Sequence, residues 1–225
     1  MDSSAAAFVR AHTSLLPAPY VPEVRLWLAQ DAFGLWEETE REQGGEVGPP
    51  PFWAFVWAGG QALARYLLDN PDLVAGRDVF DLAAGSGLVA IAAAKAGAAT
   101  VAASEIDPYA AAAIALNAAA NGVPVTVHLD DVLDRDAGGA DLVLAGDVCY
   151  SAEMTRRVLA FLDRARGAGA TVLVGDPGRA YLPRTRLAEV ASHLVPVSRA
   201  LEDADVKRAT VWRLSPPAPA GLPRP

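Results

Sequence analysis

The chain has 225 residues, 52% of them hydrophobic and 20% charged, with a mean hydropathy of +0.20. That excludes wholesale disorder and suits one α/β domain with decoration better than two independent cores. Lys and Arg number 19 against 27 Asp and Glu, a formal charge of −8, so the basic footprint of non-specific nucleic-acid or anionic-membrane binding is missing.

A lone cysteine, Cys149, excludes an intrachain disulfide or a Cys-rich metal centre and fits a reducing, cytoplasmic setting. Residues 1–10 show no apolar signal region. Residues 1–50 read as an N-terminal extension, with a strand at 23–29, a helix at 31–41 and a breaker-rich stretch through Gly44, Gly45, Gly48 and Pro49. Residues 51–214 form the main domain. Residues 215–225 are a Pro-rich tail that cannot join a sheet and is expected to be mobile.

The main domain opens with a helix at 60–69 that stops before Pro71, then a buried strand at 78–82. A helix at 88–96 closes at Gly97, and a strand follows at 100–104. Asp107-Pro108 starts a helix, with Asp as cap and Pro preset for the first turn, and Asn121-Gly122 ends it. Strands at 125–129 and 141–145 precede a helix capped by Ser151, whose Met154, Val158, Phe161, Leu162 and Ala165 keep the 3.6 period. A strand at 171–175, a helix at 184–193 and a hairpin of 195–201 with 207–214 complete the order. Short apolar strands alternating with helices predict a Rossmann-like α/β sheet, mostly parallel, with an antiparallel C-terminal hairpin. Ligands bind such sheets beyond the carboxyl ends of the strands.

The residues just after each strand are therefore the candidates. Asp81-Leu82-Ala83-Ala84-Gly85-Ser86-Gly87 leaves the first strand of the domain, and its glycines let a ligand approach the backbone at a helix N-terminus. Gly85-Ser86-Gly87-Leu88-Val89-Ala90 also satisfies the dinucleotide pattern G-x-G-x-x-G/A, so NAD is a competing ligand. Asp81 at the strand mouth would repel a pyrophosphate and favour the cationic ammonium and sulfonium of S-adenosylmethionine. Glu105 is placed to accept ribose hydroxyls in either class. Asp107 reads as a helix cap. Asp131 is the choice for the adenine amino group, against a plain polar turn shared with Asp130.

Gly146-Asp147-Val148-Cys149-Tyr150 follows the fourth strand, where a reacting group would sit. A lysine acceptor must lose its proton, at roughly 4 kcal/mol near neutral pH. Asp147 is suited to orient an amine, and Tyr150 to hydrogen-bond and wall off water. Cys149 reads as a small core residue. His12, His128 and His193 lack ligand spacing, so no metal site is expected, and Ser86 lacks the G-x-S-x-G elbow of a hydrolase. Of the five tryptophans only Trp57, ahead of Gly59-Gly60, is placed to line a ligand.

Asp81-x-x-x-Gly85-x-Gly87, Glu105 and Asp147-Val148-Cys149-Tyr150 together resemble the seven-stranded S-adenosylmethionine-dependent protein lysine methyltransferases. Within them the chain is most similar to the electron transfer flavoprotein β-subunit lysine methyltransferase family. Residues 51–63 and 65–71, Glu105-Ile106-Asp107-Pro108, Gly146-Asp147 and Gly175-Asp176-Pro177-Gly178-Arg179 carry the likeness, which runs from about 22 to 214. It implies a class I methyltransferase sheet and S-adenosyl-L-methionine as cofactor, touched by Trp57, Asp81, Gly85, Gly87, Glu105 and Asp131. It places Asp147 and Tyr150 beside the acceptor lysine as a D-x-x-Y element, and Asp176 and Arg179 on the substrate rim. The implied partner is the electron transfer flavoprotein β subunit, with a ribosomal protein or a small-molecule amine as alternative, and neither nucleic acid nor membrane. Cys149 stands where the family carries a bulkier residue, implying a differently shaped lysine channel.

Overall fold

The computed structural model describes residues 3–42, 50–202 and 204–215. Most of the breaker-rich stretch and all but the first residue of the Pro-rich tail lie outside the described residues. The chain begins with helix α1 (Ser3–His12) and strand β1 (Ser14–Ala18), neither of which was anticipated, then β2 (Val21–Leu28) and α2 (Ala32–Glu42). β1 and β2 pair antiparallel as a ribbon separate from the main sheet. Val24, Leu26 and Leu28 of β2 are buried while Glu23 and Arg25 are exposed, the period of a half-buried strand.

Helix and strand then alternate: α3 (Ala58–Asp69), β3 (Asp78–Leu82), α4 (Leu88–Lys95), β4 (Thr100–Glu105), α5 (Pro108–Asn121), β5 (Thr126–Leu129), β6 (Leu142–Gly146), α6 (Ala152–Gly167) and β7 (Thr171–Asp176). The chain closes with β8 (Leu187–Pro196), the single turn α7 (Arg199–Glu202) and β9 (Val206–Leu214). Seven strands form one sheet in the order β5-β4-β3-β6-β7-β9-β8, parallel except where β9 joins β7 and β8. The expected class of sheet is the one observed.

Both faces of this sheet are covered, which is why its strands read as unbroken apolar runs. Val79, Leu142, Leu144 and Leu173 pack with α3 and α4 on one face. Phe80, Val143, Ala145, Val172 and Val174 pack with Phe161 and Leu162 of α6 on the other. The order of connection reverses between β3 and β6, so a crevice opens beyond their carboxyl ends. The caps are those the sequence marked. Asp107 accepts from the Tyr109 N–H, Ser151 accepts from the Met154 N–H, and Gly122 ends α5 in the left-handed conformation.

The expected helix over 184–193 is not there. Arg184–Arg186 make one 3-10 turn, and β8 follows as the edge strand, paired to β9 along its length. The expected first hairpin strand at 195–201 is likewise shifted, since β8 ends at Pro196 and α7 intervenes. Leu187, Ala188, Glu189 and Ala191 favour helix locally, and pairing with β9 overrides them. A bulge between Glu189 and Ala191 also shifts the phase of the alternation. Beyond it Ala191, His193 and Val195 turn inward and Ser192, Leu194 and Pro196 outward.

The ribbon is bound to the main domain through amide side chains. Phe8 and Val9 of α1 join Ala110 and Ala113 of α5 in one apolar cluster. One turn apart on α5, Asn117 accepts from the Trp27 N–H at 2.7 Å, and Asn121 accepts from the Arg25 N–H and donates to the Arg25 carbonyl. These two side chains act as the missing strand along β2, and Asn117 also donates to the Ser86 carbonyl at 2.8 Å. Among the described residues no helix is long and apolar enough to cross a membrane.

Candidate active site

The turn after β3 contains three left-handed residues in five positions, Ala83, Gly85 and Gly87. Gly87 favours glycine twice over, since its φ is 77° and an added Cβ would crowd Ile114 of α5 at 3.1 Å. Ala83 holds its positive φ of 52° without being glycine, which costs roughly 1–2 kcal/mol. Ala83→Gly should therefore raise stability by about 1 kcal/mol, after the extra entropy glycine gains in the unfolded chain is subtracted. A thermal melt tests this, with Tm expected to rise by about 2–4 °C. An unchanged or lower Tm would mean that packing of the Ala83 methyl outweighs the strain.

Two carboxylates brace this turn. Glu105, at the end of β4, accepts from the Gly85 N–H at 2.7 Å and from the Ile106 N–H at 3.1 Å. Burial raises its proton affinity, and those amides offset part of the rise. Asp81 is 1% exposed in β3 and accepts from the Ala90 N–H in the first turn of α4, capping that helix from a distance. Desolvation, with Glu105 nearby, pushes its carboxyl up to about 8. The residue anticipated as a guard at the strand mouth is thus a buried carboxyl that holds its proton at neutral pH.

A cavity of about 60 Å³ sits over the crevice. Trp57, Asp81, Gly85 and Asp147, all candidates from the sequence, line it together with Phe55, Val56, Ala83 and Gly146. The cavity suits a small cationic group, since its floor is an acid that ionises readily only when a positive charge replaces its proton. Glu105 and Gly87 stand behind the lining rather than in it. Asp131 is on the loop beyond β5 and lies outside the lining. Its carboxylate pairs with Arg157 at 2.9 Å and accepts from the Leu133 N–H, which holds it below the usual carboxylate range.

Asp147 is the hub of the opposite wall. Its own backbone is left-handed, with φ of 60°. Its two oxygens accept from the Gly59 and Gly60 N–H groups at 3.1 and 2.6 Å, capping α3 from a residue some 87 positions away. Backbone meets backbone at this joint. A Cβ on Gly59 would strike the Gly175 carbonyl, and one on Gly175 would strike the Gly59 carbonyl. The Gly59-Gly60 pair, Gly146 and Gly175 all stand in segments singled out in the sequence, but nothing there showed that they meet. Arg179 also donates to Asp147 and lies 3.5 Å from Asp176. Asp176 in turn accepts from the Gly178 and Arg179 N–H groups, folding the Gly175–Arg179 segment so that the guanidinium reaches Asp147. Burial raises the proton affinity of Asp147, and Arg179 with the Gly60 amide opposes it.

Above the cavity lies an aromatic rim. Phe52 has ring centroids 5.8 Å from Trp57 and 6.2 Å from Tyr150, and the Trp57 indole donates to the Phe52 carbonyl. Tyr150 is 55% exposed, and its phenol is pushed up by burial and by Glu105, so it is neutral at physiological pH. Phe52 was overlooked as a site residue, although the Pro51-Phe52-Trp53 run had been noted. Cys149 is buried beneath the rim, outside the cavity lining, and burial pushes its thiol up to about 11. Its burial fits the small core residue expected from the sequence.

Comparison with known proteins decides the family. The electron transfer flavoprotein beta subunit lysine methyltransferase of Xenopus laevis is 38% identical over 218 residues, spanning 93% of this chain and 87% of that protein. The Homo sapiens protein of the same name is 34% identical over 225 residues, spanning 96% and 84%. The chain belongs to this methyltransferase family. Residues 62–149 also match the family model for ribosomal protein L11 methyltransferase, PrmA. Membership removes the dinucleotide alternative that the Gly85–Ala90 pattern had left open. Solved structures agree on the fold. A ribosomal protein L11 methylase from Lactobacillus delbrueckii subsp. bulgaricus aligns with a TM-score of 0.51 and 23% identity over 69% of this chain and 78% of its own. Magnesium protoporphyrin IX methyltransferase from Synechocystis PCC 6803 aligns with a TM-score of 0.52 and 17% identity over 83% and 99%.

Proposed function

We propose that the chain transfers a methyl group from S-adenosyl-L-methionine to the side-chain amine of a lysine in a partner protein. The β subunit of electron transfer flavoprotein is the first acceptor to test, and a ribosomal protein or a small amine the second. The supporting observation is Asp81, a buried carboxyl of raised proton affinity at the floor of a cavity beside a glycine turn. The cofactor supplies an electrophilic methyl on a cationic sulfur. Asp81 gives up its proton and faces the positive charge of the methionine end. Gly85 leaves the backbone open to approach, Gly87 sets the turn, Glu105 receives ribose hydroxyls and Trp57 covers the cavity. Asp131 is assigned to the adenine amino group with the lone pairs that Arg157 and Leu133 leave free.

The acceptor amine has to arrive neutral and in line, so most of the work is positioning and exclusion of water. Tyr150, neutral and at the rim, is suited to hydrogen-bond the amine, and Phe52 with Trp57 offers aromatic faces to the aliphatic stem of the lysine. Asp147 has two amides and a guanidinium on its carboxylate, so it acts as a fixed wall rather than as a free base. Asp176 and Arg179 hold that wall in place and border the substrate side. A cytoplasmic location belongs to the same proposal.

Mass spectrometry of electron transfer flavoprotein incubated with the enzyme and deuteromethyl-labelled cofactor tests the proposal. The expected result is label on lysine in the β subunit. Label on another protein instead would reassign the acceptor, and absence of label from every lysine in a whole lysate would overturn lysine methylation.

A further inference from the structure

At the amino-terminal end of the sheet, opposite the crevice, a second cavity of about 260 Å³ is lined by Arg77, Arg166 and Arg213 with Leu73, Thr171 and Leu214. By the same measure one water needs roughly 10–15 Å³. Arg77 immediately precedes β3, Arg166 lies in the last turn of α6 and Arg213 lies on β9, so three separate elements bring arginines to one hollow. Among the described residues none of the three has a carboxylate within ion-pair distance, whereas Arg65, Arg157, Arg164 and Arg186 all do. Two acids at this end of the sheet are engaged elsewhere. Asp141 accepts from the Asp78 N–H, and Asp78 accepts from the Thr100 hydroxyl. The Nε of Arg166 is buried without a hydrogen-bond partner, as are those of the ion-paired Arg65 and Arg186.

Three like charges around one concavity repel each other, and a buried guanidinium N–H left unpaired is unfavourable. Both penalties vanish if the hollow holds an oxyanion. In a chain of net charge −8 this hollow is a local reversal of sign, a field that favours an anion. We propose that this cavity is a phosphate-binding site, remote from the methyl-transfer crevice and independent of it. Guanidinium forks match phosphate oxygens in pairs. The phosphate could come as the free inorganic ion or as part of a diphosphate compound, and the two sources share the same recognition chemistry.

Titration calorimetry of the full chain with inorganic phosphate and with pyrophosphate, in a low-chloride buffer, tests it. Saturable one-to-one binding is expected, weakened about tenfold or more in R77A/R213A, with the melting temperature in phosphate-free buffer unlowered because two like charges have been removed. Arg166→Gln is the second variant, expected to weaken binding while keeping the aliphatic stem on α6. Tighter binding of pyrophosphate would assign a diphosphate ligand, and equal binding the single ion. No saturable binding, or binding of equal strength in R77A/R213A and Arg166→Gln, as for phosphate seated on the glycine turn instead, would overturn the site.

Discussion

Asp81→Asn should make the cofactor-free protein more stable at neutral pH while removing its capacity to bind the methyl donor. The carboxyl titrates near 8 when folded and near the ordinary carboxylate value when unfolded. A raised folded value means that the stability contribution is fully present below the unfolded value and is lost as pH climbs through the folded one. Between about pH 4 and 8 each unit therefore favours the unfolded chain by about 1.4 kcal/mol, approaching 4 kcal/mol by pH 7. Asparagine has no proton to lose, and its Oδ1 can still accept from the Ala90 N–H. Part of the burial penalty persists for an amide, so the expected gain is about 2–4 kcal/mol. In a chain of this size that is a rise in Tm of about 5 °C or more.

The same linkage shapes cofactor binding. A cation in the cavity needs Asp81 ionised, so affinity should climb about tenfold per pH unit below 8 and level off above it. Calorimetry in buffers of different ionisation enthalpy should find about one proton released per cofactor bound below that point. An affinity indifferent to pH, or an asparagine variant that binds as tightly as the parent, would show that Asp81 does not meet the positive charge.

The second large effect concerns Asp147 and Arg179. Asp147→Ala strips the first turn of α3 of two acceptors and takes one carboxylate partner from Arg179, which should cost about 3–5 kcal/mol in urea denaturation. Arg179→Met should also destabilise, because a buried carboxylate then faces only two amides. Asp147→Asn keeps a residue that tolerates the left-handed backbone. In the cycle of Asp147→Asn, Arg179→Met and the double variant, a coupling of about 2 kcal/mol or more is expected for such a contact. If Arg179 served only as a substrate contact, Arg179→Met would lower kcat/KM and leave the denaturation midpoint in place. A midpoint that does not move in either single variant would dismiss the brace.

What was legible in the sequence was local. β3 falls on residues 78–82, as its apolar run between polar ends predicted, and Asp107, Ser151 and Gly122 cap their helices because capping is decided within a few residues. The turn from Asp81 to Gly87 was likewise readable, since left-handed backbone selects glycine wherever it is needed. Ala83 hid the first such position by lacking that signature. The misread segment at 184–193 had helix-forming residues whose pairing partner, β9, lies beyond them in the chain, and its bulge broke the alternation. α1 escaped because ten residues give too few turns for its apolar stripe at Ala5, Phe8 and Val9 to stand out.

In the site, the identity of the acids was readable but their obligations were not. Nothing near Asp147 reveals that its oxygens serve amides at 59 and 60, and nothing near Asp131 announces Arg157 on a later helix. The walls contributed by Phe55 and Val56 come from a connection with no periodicity to read.

One consequence reaches past the crevice itself. The carboxamide of Asn117 is oriented at one end by the Trp27 N–H, and its other end is thereby aimed at the Ser86 carbonyl inside the glycine turn. A fragment beginning at Pro51 would keep every residue assigned to the methyl donor yet lose the peg that sets that amide's orientation. The leading ribbon is thereby part of what steadies the glycine turn.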